Sequence, residues 1–493
     1  MTAIDSSWSV MQLREYAKAH GLKSSYKYKK HELLAWLAEQ GGMAQEEDAA
    51  EEGLCASATG VADSKTSSVA SEPESASDRG EAACEKASVL PEREEEAEEE
   101  KKELRTLPSV TGRLEVMADG YGFLRAKNGG ETADYYVPHV HIRRYRLRSG
   151  DIVDGIAGDR HDKERYAPII YINSINGASP AASRRRLSFD DLTPIYPNQR
   201  IRLERVGEDV SNRIVDLVAP IGRGQRGLIV SPPKAGKTTL LKAIAQSVEQ
   251  KYPEINLFVL LIDERPEEVT DFQRSVNQFR ADDDLVKTEI VASTFDKDAS
   301  SHTQTAEALL ERAKRMVEGG QDVMILLDSI TRLSRAYNIT TQSSGKTLSG
   351  GLDPVAMYPP KRFFGAARNI DGDGSLTILA TCLRDTGSRM DEMIYEEFKG
   401  TGNMEVHLSR DLSELRIFPA IDIFASGTRR EDLLLDADEQ KAMVQVRRQA
   451  RQRKEAEAVE QFVQLIKNTP DNESLCRLIL DPSGRTAPKK ERG

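Results

Sequence analysis

Hydrophobic patterning divides the chain into stretches of different character. Over residues 1–40 apolar positions recur at helical spacing, with Leu13 and Ala17 on one face and Leu33, Leu34, Trp36 and Leu37 on another. Ser9 and Gln12 have capping-box spacing, Gly21 is placed to stop the first helix, and Gly41-Gly42 stop the second. Two short helices bury little by themselves, so this N-terminal helical module is expected to dock on its neighbour. From 41 to 106 the pattern vanishes. The stretch has no Phe, Tyr or Trp, is rich in Ala, Ser and Glu, and ends in the acidic run Glu92 to Glu103. It cannot bury enough apolar surface to offset its chain entropy, and a disordered, solvated tether is expected.

Residues 107–176 turn to short alternating segments punctuated by glycine: Gly112–Met117, Tyr121–Ala126, Tyr135–Val137, Asp151–Ala157 and Ala167–Asn173. Five such strands over 70 residues predict a small all-β barrel of the oligonucleotide/oligosaccharide-binding (OB-fold) type. Residues 177–200, with Arg184-Arg185-Arg186, read as a linker. From 201 to 481, continuous apolar runs of strand length (Gly227–Val230, Leu257–Ile262, Val323–Leu327, Leu376–Ala380) alternate with helical patterns, after Lys237 and over Thr305–Gly319. Strands buried on both faces read this way, which predicts an α/β core with a parallel sheet and crossover helices. A short tail, 482–493, follows.

Composition changes the picture in three respects. The longest clean apolar run, Leu257–Ile262, has six residues, so a membrane helix is not expected, and without an apolar signal core a cytoplasmic location is. Cys55, Cys84, Cys382 and Cys476 lie far apart, which excludes a zinc ribbon and argues against a disulfide framework. The net charge is −11, but residues 41–106 carry 19 Asp and Glu against 7 Lys and Arg. The rest of the chain is therefore close to neutral, and a nucleic-acid partner is compatible with the acidic total.

The strongest chemical signal is Ser231-Pro-Pro-Lys-Ala-Gly-Lys-Thr238, which follows an apolar strand and opens a helix through Thr239, Leu240 and Leu241. Strand, loop and helix in that order make a phosphate-binding loop (P-loop). Backbone N–H groups and a helix N-terminus face a polyanion, Lys237 brings a cation to the β/γ-phosphates, and Thr238 offers a hydroxyl to Mg²⁺. Ser231 stands where the common pattern has Gly, and two prolines stiffen the early loop. Asp328 ends one apolar strand, at the edge where open parallel sheets bind ligands, as a candidate for Mg²⁺. Glu264 ends another as the candidate to polarise water, with Asp263 as its rival; a helix cap or salt-bridge partner is the lesser alternative for either carboxylate. Cleavage also needs positive charge on the γ-phosphate, and Arg429 is a candidate that by chemistry alone is any surface arginine.

In the barrel, Tyr121 and Phe123 sit at i and i+2 with Arg125 continuing that face, a pattern suited to stacking single-stranded bases and equally suited to barrel core. Tyr136, Arg143-Arg144-Tyr145-Arg146, Arg165 and Tyr166 add to the first reading. His139 and His141 have no third ligand nearby and read as structural.

Together, GYGFLR in the barrel, PIGRGQRGLIVSPPKAGKT (220–238), LLIDERPEEV (260–269), ILLDSITRLSRAYN (325–338), RFFGAARN (362–369) and DTGSRMDEMIYEEFKGTGNMEVHLSR (385–410) closely resemble the bacterial transcription termination factor Rho family. The likeness covers about 1–40 and 107–480; the acidic insert 41–106 is the large departure and Ser231 a minor one. The resemblance implies a homohexameric ring of RecA-type ATPase domains that uses ATP and Mg²⁺ to move 5′→3′ along RNA. It implies binding to pyrimidine-rich single-stranded nascent RNA and dislodging of RNA polymerase, with no membrane involved. By the same resemblance Lys234, Ala235, Gly236, Lys237, Thr238, Thr239 and Arg265 hold the nucleotide and Phe418 stacks on adenine. Glu264 activates water, Thr238 and Asp328 hold the metal, and Arg429 is an arginine finger donated across the subunit interface. Tyr121, Phe123, Arg125, Tyr136, Glu164, Arg165 and Tyr166 match the primary RNA site. Lys346 in the loop 343–351, and Thr386, Gly387, Ser388 and Arg389, match loops that grip RNA inside the ring. A rotary ATP synthase subunit or secretion ATPase shares the core; the barrel motif and the gripping loops discriminate against both.

Overall fold

The computed structural model describes residues 108–128, 131–160, 165–205, 210–277, 288–451 and 454–481. The expected helical module 1–40, the acidic stretch 41–106, the tail 482–493 and Glu164 lie outside the described residues.

A five-stranded antiparallel sheet comes first, built from β1 (Ser109–Val116), β2 (Gly122–Asn128), β3 (Glu131–Val137), β4 (Ile152–Ala157) and β5 (Ile169–Ile175) in the order β3-β2-β1-β4-β5. The edge strands are drawn together where the Tyr136 N–H donates to Ala167 O at 2.9 Å, beside a Tyr136–Pro168 bridge. Alternation along the strands sends Val110, Leu114, Leu124, Val137, Val153, Ile169 and Ile172 inward to a small core. On the outer face the register sets Phe123 opposite Tyr136, and Arg125 opposite both Asp134 and Arg113.

The segment 177–200 is not a bare linker. It forms a short helix, Pro180–Ser183, and a 3₁₀ turn, Phe189–Asp191. The Arg186 guanidinium donates to both oxygens of buried Asp151 at 2.7 and 3.0 Å. Buried Glu318 accepts from Arg148 at 2.9 Å and from the Phe189 N–H at 2.8 Å. The Phe189 ring enters the core of the following domain. These contacts brace the barrel against helix Ala299–Glu318. Sparse single-residue anchors leave no periodic trace, which is why the segment reads as loop.

β6 (Pro194–Ile195) then joins a nine-stranded sheet, and β7 (Arg200–Ile201) pairs β8 (Ile221–Gly222) in a small ribbon. The large sheet contains β9 (Arg226–Ser231), β10 (Asn256–Glu264), β11 (Glu289–Thr294), β12 (Asp322–Asp328), β13 (Arg368–Ile370), β14 (Ser375–Leu383), β15 (Met404–Leu408) and β16 (Ile421–Thr428). Its main path runs β11-β10-β12-β14-β9-β15-β16, parallel except for antiparallel β16. Successive residues serve opposite faces. Val259, Leu261, Met324 and Leu326 pack with helix Lys237–Lys251 and the C-terminal helices. Phe258, Leu260, Ile325 and Leu327 pack with helices Ala299–Glu318, Ile330–Thr340 and Arg389–Lys399. Both faces are covered, so the strands must be apolar throughout. Ser231, Glu264 and Asp328 all finish at the carboxyl edge of this sheet.

Candidate nucleotide and RNA sites

At the end of β9 the chain enters the P-loop. Ser231 is fully buried, and its hydroxyl donates to Pro232 O at 2.7 Å. Lys234 (φ 67°) and Gly236 (φ 96°) turn the backbone into helix Lys237–Lys251. Space beside Gly236 is open, as a loop that must admit phosphate oxygens requires. Ala235 is buried beneath the loop, while Thr239 stands at the surface and Thr238 is half-buried.

Lys237 Nζ donates to Glu264 Oε1 at 3.2 Å and to Asp328 Oδ1 at 2.5 Å. Burial disfavours the ammonium, but Asp328 and Glu264 outweigh it and hold the Lys237 pKa above its ordinary value. Burial pushes the Glu264 carboxyl up, against the pull of Lys237, and Asp328 adds to the rise. Thr381 Oγ1 also donates to Asp328 Oδ1, at 2.8 Å, while Oδ2 accepts no hydrogen bond among the described residues. That open carboxylate oxygen, with the Thr238 hydroxyl, is an all-oxygen donor set of the kind Mg²⁺ takes.

The neighbouring carboxylates of β10 have different surroundings. The β10–β11 register shifts between Ile262 and Glu264, so Asp263 is the extra residue of a bulge, at φ 56°. Asp263 turns to Arg332, whose Nη1 donates to its Oδ2 at 2.7 Å. Glu264 is buried against Lys237. The bulge turns the two rivals to different partners, and nothing in the residue order marks it. Arg332 and Thr381 reach the site through helix packing and sheet pairing, which residue order does not mark either.

Arg265 is exposed beside Glu264. Phe418 is 46% exposed and lies before β16, whose Ile421 pairs with Leu408 while the preceding His407 pairs with Val230. That register puts the ring at the P-loop edge of the sheet. Arg429 is at the other edge: Thr428 pairs with Met404, which pairs with Gly227 at the start of β9. Its exposed side chain makes no hydrogen bond or ion pair among the described residues, and its N–H donates to Asn403 O at 2.8 Å.

On the barrel, Tyr121, Phe123, Tyr136 and Tyr166 form one half-exposed cluster outside the core. Centroids lie 5.7 Å apart for Tyr121–Phe123, 5.8 Å for Tyr121–Tyr136 and 4.9 Å for Phe123–Tyr166. Arg125 stands 5.4 Å over Phe123, and Arg165 lies 5.4 Å over Tyr166. Glu115 binds Arg125 at 2.9 Å, and Asp134 holds its other side. Cross-strand register brings in those two acids, which sequence spacing did not show. Tyr145 packs instead against the barrel core, and His141 stacks on it at 6.2 Å.

The two remaining loops touch each other. Gly350, at φ 81°, packs so tightly that a Cβ would lie 2.5 Å from Met390 N and 2.8 Å from Arg389 C. Asp391 accepts from Thr386 Oγ1 at 2.7 Å and from Arg335 at 2.6 Å, and Ser388 caps helix Arg389–Lys399. Gly387, Arg389 and Lys346 are exposed.

The ATP synthase alpha/beta family, nucleotide-binding domain, matches residues 211–428, and the Rho termination factor, RNA-binding domain, matches 110–181. Transcription termination factor Rho of Haemophilus influenzae is 52% identical over 374 residues, covering 75% of this chain and 87% of that protein. Its counterpart in Escherichia coli K12 is 51% identical over 374 residues, with the same coverage. A solved ATPase from the type III secretion system of pathogenic bacteria has a TM-score of 0.50 at 22% identity, covering 66% of this chain and 94% of that one, a likeness of fold alone. With a RecA-type ATPase core, an RNA-binding barrel and half-identity across both, the chain belongs to the transcription termination factor Rho family.

Proposed function

We propose that the chain is an RNA-dependent ATPase and 5′→3′ RNA translocase, a helicase that binds pyrimidine-rich nascent RNA and terminates transcription by RNA polymerase. It acts as a homohexameric ring in the cytoplasm. The observation that carries this reading is one chain holding both the Lys237–Glu264–Asp328 cluster and an aromatic platform outside the barrel core. A secretion ATPase or synthase subunit has no use for the platform.

An entering triphosphate competes for Lys237, which then leaves the two carboxylates for the β/γ-phosphates. Glu264, freed of its cation, orients and polarises water. Lys234, the loop N–H groups of Ala235 and Gly236, and the start of the helix at Thr239 cradle the phosphates, with Arg265 nearby and Phe418 under the adenine. Thr238 and Asp328 hold Mg²⁺, which when bound neutralises phosphate charge. Arg429 is too far round the sheet to serve its own P-loop and completes the site of a neighbouring subunit. Lys346 and Thr386–Arg389 grip RNA, and each loop moves as its interface passes through successive nucleotide states.

The test is ATP hydrolysis with and without poly(C), together with particle mass. RNA-stimulated turnover by a particle of six copies is expected. A lone protomer whose turnover ignores every polynucleotide would refute the proposal.

A further inference from the structure

We propose that RNA leaving the aromatic platform continues into a basic cleft between the barrel and the ATPase core, where Arg113, Arg312 and Lys297 hold its phosphates. This rests on the platform being the RNA site and extends that site by a second, sequence-independent part.

The cleft has a volume of about 530 Å³ and is lined by Arg113 from β1, Glu289 from β11, Lys297 from the turn after it, and Gln304, Thr305 and Arg312 from helix Ala299–Glu318. It adjoins the platform directly. Arg113 is the cross-strand partner of Arg125, the residue that stands over Phe123, and shares its face of the sheet. The two arginines differ in what they have left to bind. Arg125 is engaged by Glu115 and Asp134. Arg113 makes no hydrogen bond or ion pair among the described residues, although it is half-buried. The acid lining the cleft, Glu289, is taken by Arg312 at 2.5 Å. Three cations therefore face one carboxylate.

Burial pulls the Arg113 pKa down, Glu115 opposes this, and Arg312 and Arg125 push in the same direction as burial. A guanidinium partly withdrawn from water beside other cations is unfavourable until an anion joins it. Continuity with the platform selects the anion. A strand whose bases stack on Phe123 and Tyr136 must run its phosphates off the sheet, and across β1 the next cation is Arg113. Contacts of this kind position a strand without reading its sequence.

The experiment uses the full chain and two probes, a cytidine dinucleotide and a cytidine oligomer of about ten nucleotides, the longer within the span one such barrel covers. Binding is read by fluorescence anisotropy across a salt series. In Arg113→Gln the longer probe is expected to bind about tenfold more weakly. Its salt slope should fall by about 0.7, the loss of one phosphate contact on a single strand. Dinucleotide affinity stays as in the parent, which also reports an intact barrel. Arg113→Lys restores the slope, and Lys297→Gln repeats the loss from the other wall. Unchanged affinity and slope in Arg113→Gln, with Phe123→Ala still weakening both probes, overturns the cleft alone. If both probes ignore Phe123→Ala, the platform reading fails and the cleft with it. Tighter RNA binding by Arg113→Gln also overturns the proposal, since it would mean that an acidic protein segment occupies the cleft.

Discussion

Lys237 spans Glu264 and Asp328, which sets a condition on the proposed mechanism: for Glu264 to serve as the base, the cation must first move to the phosphates. The condition has a sign in pH. Burial holds the Glu264 carboxyl above its usual range, and only the ionised form accepts a proton. ATP hydrolysis should therefore decline as pH falls through that raised value, with the acid limb above the ordinary carboxylate range. Glu264→Gln should remove about 10²–10⁴-fold of turnover, together with that limb, while RNA binding survives. Asp263→Asn, whose carboxylate is engaged by Arg332, should cost less than about tenfold. Steady-state hydrolysis across pH separates the two; equal losses would return the base assignment to open rivalry. The P-loop itself is legible in residue order, because a strand, a loop and a helix in sequence leave a pattern. The choice between Asp263 and Glu264 is not, because it depends on one extra residue in a register with a distant strand.

At the scale of elements, strands buried on both faces announce themselves as continuous apolar runs, and the five barrel strands as short alternations. Whether Tyr121 and Phe123 face in or out is a matter of which side of the sheet closes on itself, and alternation alone leaves that undecided. The core is filled by Leu114, Leu124 and Val137, so the rings are left outside. Replacing both by Ala should then leave the barrel folded and weaken single-stranded pyrimidine RNA by about 2–6 kcal/mol if the stacks add, as measured by anisotropy. Loss of the circular dichroism signature would instead place them in the core. The loop pair makes a second case. Gly350 has left-handed backbone and no room for a Cβ against Arg389 and Met390. Gly350→Ala, costing about 1–2 kcal/mol locally, should push the loop carrying Lys346 away from Thr386–Arg389. RNA stimulation of the ATPase should fall while dinucleotide binding to the barrel holds; stimulation at the parent level would separate the two loops functionally.

For the molecule as a whole, the sheet places Phe418 and Arg429 at opposite ends of β16, so one subunit presents an exposed aromatic ring at the P-loop edge and, at its far edge, a guanidinium unpaired among the described residues. In the proposed ring each interface would pair one subunit's Lys237 and Glu264 with the next subunit's Arg429. The consequence is genetic complementation in a test tube. Lys237→Ala and Arg429→Ala should each be inactive as pure assemblies. Dissociated, mixed in equal amounts and reassembled, they should regain hydrolysis, because a P-loop from the Arg429→Ala parent then meets an arginine from the Lys237→Ala parent at up to about a quarter of interfaces. Recovery should follow subunit exchange in time and vanish when exchange is blocked by cross-linking before mixing. If Arg429 served its own P-loop, no mixture could contain an intact site, and activity would stay at the level of the separate variants however long the subunits exchanged.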